Sequence, residues 1–306
     1  MPIFLSIFIY GKMEINEPIQ PIPLKMDYDR EKALLGKKLF FDPGLSSDGT
    51  VACANCHQPE SGAEPSRFSL GIGQQEGNAN APTVFNSVFN YRQFWNGKSA
   101  NLADQAKGPM HNPVEMNGSS TRIVSYLNSK KEYRERFEKV YGKSIDEDIV
   151  ADAIAEFEKA LITPNSRFDR YLRGEANLTK SEKRGYRLFK TLGCITCHNG
   201  INIGGNSYQK IGLVHRYKWS ERSPDRYSLT GREEDKNVYK VPTLRNIELT
   251  APYFHDGSAS TIREALAKMA YHNLGLKLRE DEVNALSDFL KSLTGQLPDI
   301  LKEKER

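Results

Sequence analysis

Cys53-Ala54-Asn55-Cys56-His57 is the most informative part of the sequence, and Cys194-Ile195-Thr196-Cys197-His198 repeats its pattern later in the chain. Each stretch reads C-x-x-C-H, the attachment signature of a c-type haem. Two thiols at this spacing form thioether bonds to the vinyl groups of one porphyrin, and the histidine that follows becomes an axial ligand of the iron. The first motif (residues 53–57) and the second motif (residues 194–198) therefore predict two covalently bound haems.

All four cysteines of the chain lie in these two motifs. The same spacing also occurs in zinc sites and in redox-active cysteine pairs. A four-cysteine zinc site and two separate redox pairs are therefore the alternatives. A histidine directly follows each pair and the chain has no third pair, and both facts favour haem.

The composition is typical of a soluble globular protein with about two domains. Of its 306 residues, 38% are hydrophobic and 27% are charged, which is unlike a disordered chain. The formal net charge of +4 is too small to indicate nucleic acid as a partner. The sequence has no apolar run near the roughly 20 residues that span a bilayer, so we expect a protein that does not span a membrane.

The first ten residues, MPIFLSIFIY, are apolar, but they lack a positively charged start and a small-residue cleavage site. We interpret them as a fragment of a signal peptide, or as a start codon placed inside one. A short buried segment is the alternative. Bacteria attach c-type haem outside the cytoplasmic membrane, so the two motifs themselves predict the periplasm.

Apolar residues at helical spacing predict a mainly α-helical fold with little strand. We expect helices over 29–40, 120–127, 132–141, 149–162 and 281–293, and one or two turns over 102–106. Two further helices should open at Thr179 with Glu182 and at Thr261 with Glu264, because both pairs have capping-box spacing. The helix that opens at Thr179 should end at Gly193, directly before the second motif.

A predicted helix precedes each motif, which indicates two related cytochrome c-like domains with one haem each. Pro164 follows the helix at 149–162 and marks the boundary between the domains. The predicted units are a signal-peptide remnant with an extended lead-in over 1–26, an N-terminal domain over 27–163 and a C-terminal domain over 164–306.

Several blocks of sequence, in one order, resemble the bacterial di-haem cytochrome c peroxidases, which share a superfamily with the methylamine-utilisation di-haem enzymes. The similarity runs from about residue 29 to about residue 295. The blocks are CANCH, NAPTVFNSVFN, QFWNGK, LADQAKGP, NPVEM, GCITCHNGINIGG and PTLRNIELTAPYFHDG.

The resemblance implies a division of labour between the haems. The haem on Cys53, Cys56 and His57 would be the low-potential peroxidatic centre, and the haem on the second motif would be the high-potential centre that accepts electrons. Met269 matches the family's methionine ligand of the second iron. A thioether ligand does raise the potential of a haem, although a methionine on an apolar helix face is more often part of the core.

Three further residues match the catalytic positions of the family. Glu115 corresponds to the glutamate that moves protons between the oxygens of hydrogen peroxide. Gln105 corresponds to the glutamine that positions peroxide by hydrogen bonding. Trp95 corresponds to the tryptophan between the haems, which is taken as the electron relay.

The resemblance also implies a calcium ion at the domain interface. Asn80 would bind it, together with the backbone carbonyls of Thr250 and Pro252. Amide and carbonyl oxygens are suitable ligands for calcium. Without the resemblance, nothing in the sequence would indicate this site.

One departure from the family pattern affects the first haem. Many members carry a histidine in the glycine-rich loop, where it caps the peroxidatic iron in the oxidised state. Here Ile72 takes that place, and isoleucine cannot ligate iron. We therefore expect a five-coordinate or water-bound first haem even in the fully oxidised protein. The alternative is that His111 substitutes as the ligand.

The family implies reduction of hydrogen peroxide with electrons from a small cytochrome c or cupredoxin, and commonly a homodimer. Two alternatives remain open. A methylamine-utilisation-like enzyme would oxidise a partner protein and use a tyrosine as a ligand, for which Tyr271 is near enough to Met269 in sequence. A plain di-haem electron carrier would give Glu115 and Gln105 no role. His255 lies in a shared block and is expected to form a hydrogen bond near the second haem.

Overall fold

The structure is a computed structural model that describes residues 17–218 and 222–303. The apolar segment interpreted as a signal-peptide fragment lies outside these ranges. In the described part, the expectation of a mainly α-helical fold with little strand is confirmed, since the strands are confined to one antiparallel pair. The helices are α1 (Arg30–Phe40), α2 (Cys53–Cys56), α3 (Leu102–His111), α4 (Ser120–Ser129), α5 (Lys131–Tyr141), α6 (Glu147–Lys159), α7 (Arg167–Leu172), α8 (Lys180–Thr191), α9 (Tyr227–Thr230), α10 (Ile262–Leu274) and α11 (Glu280–Lys291), and the strands are β1 (Tyr208–Lys210) and β2 (Val238–Lys240).

The N-terminal half is organised by helix α1, which packs against α6. The two backbones approach closely at Gly36, where a Cβ atom would lie 1.8 Å from the carbonyl oxygen of Ala153. Leu35, Leu39 and Phe157 are fully buried around this crossing. Helix α3 also packs against α6, and this contact places α3 beside the first motif.

The C-terminal half repeats this arrangement with α8 and α11. A Cβ atom at Gly185 would lie 2.0 Å from the carbonyl oxygen of Ala285, which mirrors the close approach of α1 to α6. Phe168 packs edge-on against Tyr186 and Phe289, whose rings are tilted by 32° to each other, and the ring centroids lie 4.8–5.1 Å apart. In both halves the first helix of the crossing is the helix that precedes the haem motif, across a loop after α1 and directly after α8. The expectation of two cytochrome c-like domains is thereby confirmed, while the exact boundary at 163/164 stays a prediction.

A buried ion pair attaches the lead-in to the C-terminal half of the molecule. Arg245 lies 2.5 Å from Asp169, and the side chains are only 1% and 0% exposed. The same arginine donates a hydrogen bond to the carbonyl oxygen of Gln20, and the backbone N–H of Ile22 donates to Asp169. Ile19 joins the second hydrophobic core. The described part of the lead-in therefore precedes the first domain in sequence but packs on the second.

Most helix ends agree with their sequence signals. Asp29 caps α1 by accepting hydrogen bonds from two backbone N–H groups, and Thr179 and Glu182 form the reciprocal capping box at α8. The second expected box is only half formed, because the Glu264 carboxylate accepts from the backbone N–H of Ser260 instead of from Thr261.

Helix α3 is longer than expected. The sequence indicated one or two turns over 102–106, whereas the helix runs to His111 with Pro109 inside it. A proline lacks only its own N–H donor, and near the C-terminal end of a helix little of the backbone ladder is lost. Within residues 17–218 and 222–303, no helix has both the length and the apolar character needed to cross a bilayer.

Candidate haem centres and active site

The first motif lines a cavity in the N-terminal half, here termed the first cavity, with a volume of about 210 Å³. Helix α2 presents Cys53 and Cys56 to this cavity, and His57 follows directly. The turn is held by Asn55, whose side chain accepts a hydrogen bond from the backbone N–H of Ala52 at 2.7 Å. Burial lowers the pKa of His57 to about 4, so its imidazole is neutral, which is the form that ligates iron.

The second motif lines a separate cavity in the C-terminal half, here termed the second cavity, with a volume of about 230 Å³. Cys194, Cys197 and His198 all face it. The Nδ1 atom of His198 lies 3.3 Å from the carbonyl oxygen of Ile203. A histidine held in this way at one ring nitrogen offers the other to a metal. Burial lowers the pKa of His198 to about 4.

The geometry disfavours a zinc site. The two cysteine pairs line different cavities, and in the described part of the chain no cluster of three or more His, Cys, Asp or Glu side chains could hold a metal ion. Burial raises the pKa of Cys53 to about 12 and that of Cys194 to about 11. In both cavities burial favours the neutral thiol. Each cavity therefore fits a covalently attached haem, with two thiols and one neutral imidazole.

Helix α10 directs Met269, and not Tyr271, to the second cavity. Met269 lines the cavity together with the apolar residues Ile262, Ala265 and Leu266 of the same helix. Tyr271 is 48% exposed, and its ring stacks on His215 with centroids 4.4 Å apart. The sequence also allowed this face of α10 to be part of the core. In the structure it forms a wall of the second cavity and carries the Met269 thioether.

Glu115 and Gln105 both line the first cavity. Gln105 comes from α3, and Glu115 comes from the turn that follows this helix. The side-chain amide of Asn112 donates a hydrogen bond to the Glu115 carboxylate at 2.7 Å. Burial raises the pKa of Glu115, while Asn112 and the positive charge of Lys98 oppose the shift. The cavity thus combines an acid of raised pKa with an amide donor and acceptor.

The glycine-rich loop packs directly behind Glu115. The backbone N–H of Ile72 donates to the carbonyl oxygen of Glu115 at 2.8 Å, and the Ile72 side chain packs against the first hydrophobic core. A Cβ atom at Gly71 would lie 2.0 Å from the carbonyl oxygen of Val114. In this protein the loop therefore supports the backbone of the glutamate.

Two other residues near the first cavity could be considered as iron ligands. The ring nitrogens of His111 face the carbonyl oxygen of Gly118, at 3.1 Å, and the carboxylate of Glu147, so both already have partners. Met116 lines the first cavity but is also part of the buried core. The sequence reasoning did not consider Met116.

Trp95 lies between the two haem motifs. It lines both cavities, as does the segment over 80–83. Its indole N–H donates to the carbonyl oxygen of Asn80 at 2.8 Å, and its ring meets His255 edge-on at 6.2 Å. The imidazole of His255 is buried and stacks on Tyr239 at 4.1 Å, so it is in contact with the aromatic residue between the cavities.

The three residues matched to calcium binding, Asn80, Thr250 and Pro252, all line the second cavity. The side-chain amide of Asn80 donates to the carbonyl oxygen of Ser66 at 3.0 Å, which leaves its oxygen as the atom suited to a cation. The Ala251–Pro252 peptide bond is cis. Calcium binding itself stays a prediction.

Comparisons with known proteins agree with this geometry. Residues 30–177 match the family model described as di-haem cytochrome c peroxidase, and residues 182–294 match the cytochrome c model. The cytochrome c551 peroxidase of Nitrosomonas europaea is 46% identical over 94% of this chain and 87% of that protein. The chain belongs to the di-haem cytochrome c peroxidases. The resemblance stated from the sequence blocks is thereby confirmed.

Two further comparisons place this peroxidase within its superfamily. The cytochrome c peroxidase Ccp of Escherichia coli is 44% identical over 95% of this chain, and the match covers 64% of that protein. A solved MauG-like protein associated with microbial copper homeostasis is 27% identical, with a TM-score of 0.81 over 93% of this chain and 95% of that chain. Relatives of the methylamine-utilisation type therefore share the fold at lower sequence identity.

Sequence reasoning missed two ionisable residues of the peroxidase's cavities. Glu158, on α6, lines the first cavity, and Lys240, on β2, lines the second; both are buried. Glutamate and lysine are normally surface residues, so the residue types alone predict exposed positions. Their apolar neighbours in sequence are the feature that indicates burial. Glu158 directly follows Phe157 on a buried helix, and Lys240 stands between Tyr239 and Val241.

Proposed function

We propose that this peroxidase reduces hydrogen peroxide to two waters at the first cavity, with electrons accepted at the second haem from a small cytochrome c or cupredoxin. The observation that carries the proposal is the placement of Glu115 and Gln105 in the cavity of the first motif. These are the groups that cleavage of an O–O bond requires, and an electron carrier would have no use for them.

Reduction of one peroxide consumes two electrons and two protons. When bound, the two haems would supply the redox-active iron. Glu115 would accept a proton from one peroxide oxygen and deliver it to the other, so that the second leaves as water. Gln105 would orient peroxide through its side-chain amide. The raised pKa of Glu115 supports this role, since a proton-transfer group works best when its pKa approaches the operating pH.

The second cavity would hold the electron-accepting, high-potential haem, with His198 and Met269 as its axial ligands. A thioether ligand raises the haem potential, and the position of Met269 in the cavity wall supports this assignment. Trp95 would relay electrons between the haems, a role supported by its contact with both cavities.

The decisive experiment is a peroxidase assay with reduced cytochrome c on wild type and Glu115→Gln. We expect the variant to lose about 10²–10⁴-fold in turnover, the usual contribution of a proton-transfer group, while both haems remain attached. Glu138→Gln, which removes an exposed carboxylate from α5, is the matched control and should turn over like wild type. Equal activity of Glu115→Gln and wild type would overturn the assignment.

We further propose that the first haem needs no prior reduction to become active. Ile72 packs into the core and cannot ligate iron. The electron paramagnetic resonance spectrum of the fully oxidised protein should therefore show the first haem as high-spin. A low-spin signal from that haem, through His111, Met116 or another residue, would refute this proposal. Ile72→His should impose a lag in turnover that pre-reduction removes.

A methylamine-utilisation-like activity is the second candidate, because such proteins share the fold. It would use a tyrosine ligand at the second haem. The exposed, stacked position of Tyr271 disfavours that reading. The charge-transfer absorption of a methionine–iron bond in the oxidised protein would distinguish Met269 from Tyr271.

The remaining expectations concern the location, the calcium content and the oligomeric state of the enzyme. We propose a periplasmic location, because the two haem motifs require attachment outside the cytoplasmic membrane. We also propose one calcium ion at Asn80, Thr250 and Pro252, which calcium chelation followed by elemental analysis tests. The homodimer expected from the family is tested by sedimentation of the haem-loaded protein.

A further inference from the structure

Lys240 is a buried lysine in the wall of the second cavity. It is the last residue of β2, and it lines the cavity while the residue is only 6% exposed. Its backbone N–H donates to the carbonyl oxygen of Trp95 at 2.7 Å. This hydrogen bond ties the lysine to the residue that contacts both cavities. Lysine is almost never buried unless it is paired with an opposite charge.

The protein supplies no such partner in its described part. Within residues 17–218 and 222–303, no carboxylate forms an ion pair with the Lys240 ammonium, and burial alone accounts for the lowering of its pKa to about 8. Two other buried charged residues of the described chain do have partners of opposite charge. Arg245 pairs with Asp169, and Glu156 with Lys159. Lys240 is therefore a buried cation that has no counter-ion among the described residues.

A c-type haem carries two propionate carboxylates, and covalent attachment at Cys194 and Cys197 would hold them within this same cavity. We propose that the Lys240 ammonium pairs with a propionate of the second haem and holds the potential of that haem high. A positive charge beside a haem stabilises its reduced state, and pairing also neutralises a carboxylate that would otherwise favour the oxidised iron. Lys240 is thus a positioning and tuning residue, distinct from the axial ligands.

The contrast between the two cavities supports this role. The wall of the first cavity has a buried acid, Glu158, and its lysine, Lys98, is exposed. The second cavity has the buried cation. Burial keeps the Glu158 carboxyl protonated and neutral, so the buried charge is the cation of the second cavity. It lies on the side that would raise the potential of the second haem above that of the first and make it the better electron acceptor. Lys240 has this role only if the second cavity holds a haem, as proposed above, and it does not depend on peroxide chemistry at the first.

The test is a spectroelectrochemical titration of both haems in wild type, Lys240→Met and Lys240→Arg. We expect Lys240→Met to lower the equilibrium constant for reduction of the second haem at least tenfold, which is about 59 mV for a one-electron couple, and to leave the first haem unchanged. Lys240→Arg should retain most of the wild-type potential. Lys236→Met is the control, since it removes an exposed lysine of the same segment whose ammonium pairs with Glu233, and it should shift neither potential.

An unchanged second potential in Lys240→Met, or an equal fall in Lys236→Met, would overturn the proposal. If the Lys240 variants fail to load haem, a crystal structure of the wild-type holoprotein decides the matter. An Nζ–propionate distance within about 4 Å, the range of an ion pair, supports it, and a longer distance refutes it. If Lys240→Met shifts the potential of the second haem but the wild-type protein does not reduce peroxide, this role of Lys240 stands and the proposed function is refuted.

Discussion

The buried pair of Arg245 and Asp169 gives the sharpest prediction about stability. Asp169 accepts hydrogen bonds from Arg245, from the backbone N–H of Ile22 at 3.2 Å and from the hydroxyl of Ser166 at 2.8 Å. Asp169→Ala would leave the guanidinium in a site that is 1% exposed. Removing one partner of a buried ion pair costs about 3–5 kcal/mol. We therefore expect the free energy of unfolding to fall by about that amount.

Equilibrium denaturation of the haem-loaded protein, followed by circular dichroism and by haem absorption, measures this loss. Asp281→Ala is the matched control, because Asp281 also pairs with arginine, Arg184, but at the exposed surface; surface pairs contribute little, so the change should be far smaller. Combining Asp169→Leu with Arg245→Met removes both charges and should restore most of the stability. Similar losses in Asp169→Ala and Asp281→Ala would refute the reasoning.

Two further predictions concern the first cavity. Burial raises the pKa of Glu158 from 4.5 to about 8, so the folded protein retains a proton that the unfolded chain releases. The contribution of Glu158 to the free energy of unfolding should be complete below pH 4.5 and should fall by about 1.4 kcal/mol per pH unit up to about pH 8. Denaturation at pH 5.5 and 8 tests this, and Glu158→Gln should abolish the pH dependence. The same pH dependence in wild type and Glu158→Gln would contradict the prediction. Gly71→Ala should displace the Glu115 backbone, because its Cβ would meet Val114 at 2.0 Å. We expect at least a tenfold loss of peroxidase turnover with both haems attached. Gly73→Ala, where the Cβ meets nothing and only the positive φ of 58° is a cost, should lose much less.

The local features of the fold were predictable because they depend on short stretches of sequence. The spacing of apolar residues and the caps at Asp29 and Thr179 define the helices before each motif, and those helices were found where expected. The two motifs identify the cysteines and histidines outright. Helix α3 was underestimated because the sequence signal for a helix covers only residues 102–106, before Gly108 and Pro109. In the structure the turn after the helix continues its packing, and Met116 and Gly118 close it with backbone hydrogen bonds to Pro109 and Met110.

Contacts between distant parts of the chain were not predictable. Nothing local in Ile19 or Ile22 shows that the lead-in, which precedes the first domain, packs on the second. Lys240 and Glu158 have the residue types of a solvated surface, and only the tertiary structure shows that they line cavities. The placement of Glu115 and Met269 was expected only through family resemblance. The structure adds the elements that bring each to its cavity.

Two copies of one motif produce two different sites because the motif contributes only part of each wall. The cysteines and the histidine are the same in both cavities, and each half has a crossing between the helix that precedes its motif and a helix that follows it. The differences come from elements far away in sequence. Helix α3 and the turn after it bring Gln105 and Glu115 to the first cavity, while α10 and β2 bring Met269 and Lys240 to the second. A proton-transfer group suits an iron that must meet an oxidant, and a thioether with a buried cation suits an iron that must hold an electron. The repeated cytochrome-like unit thus provides two haem sites, and the difference proposed for their chemistry would come from the non-local walls.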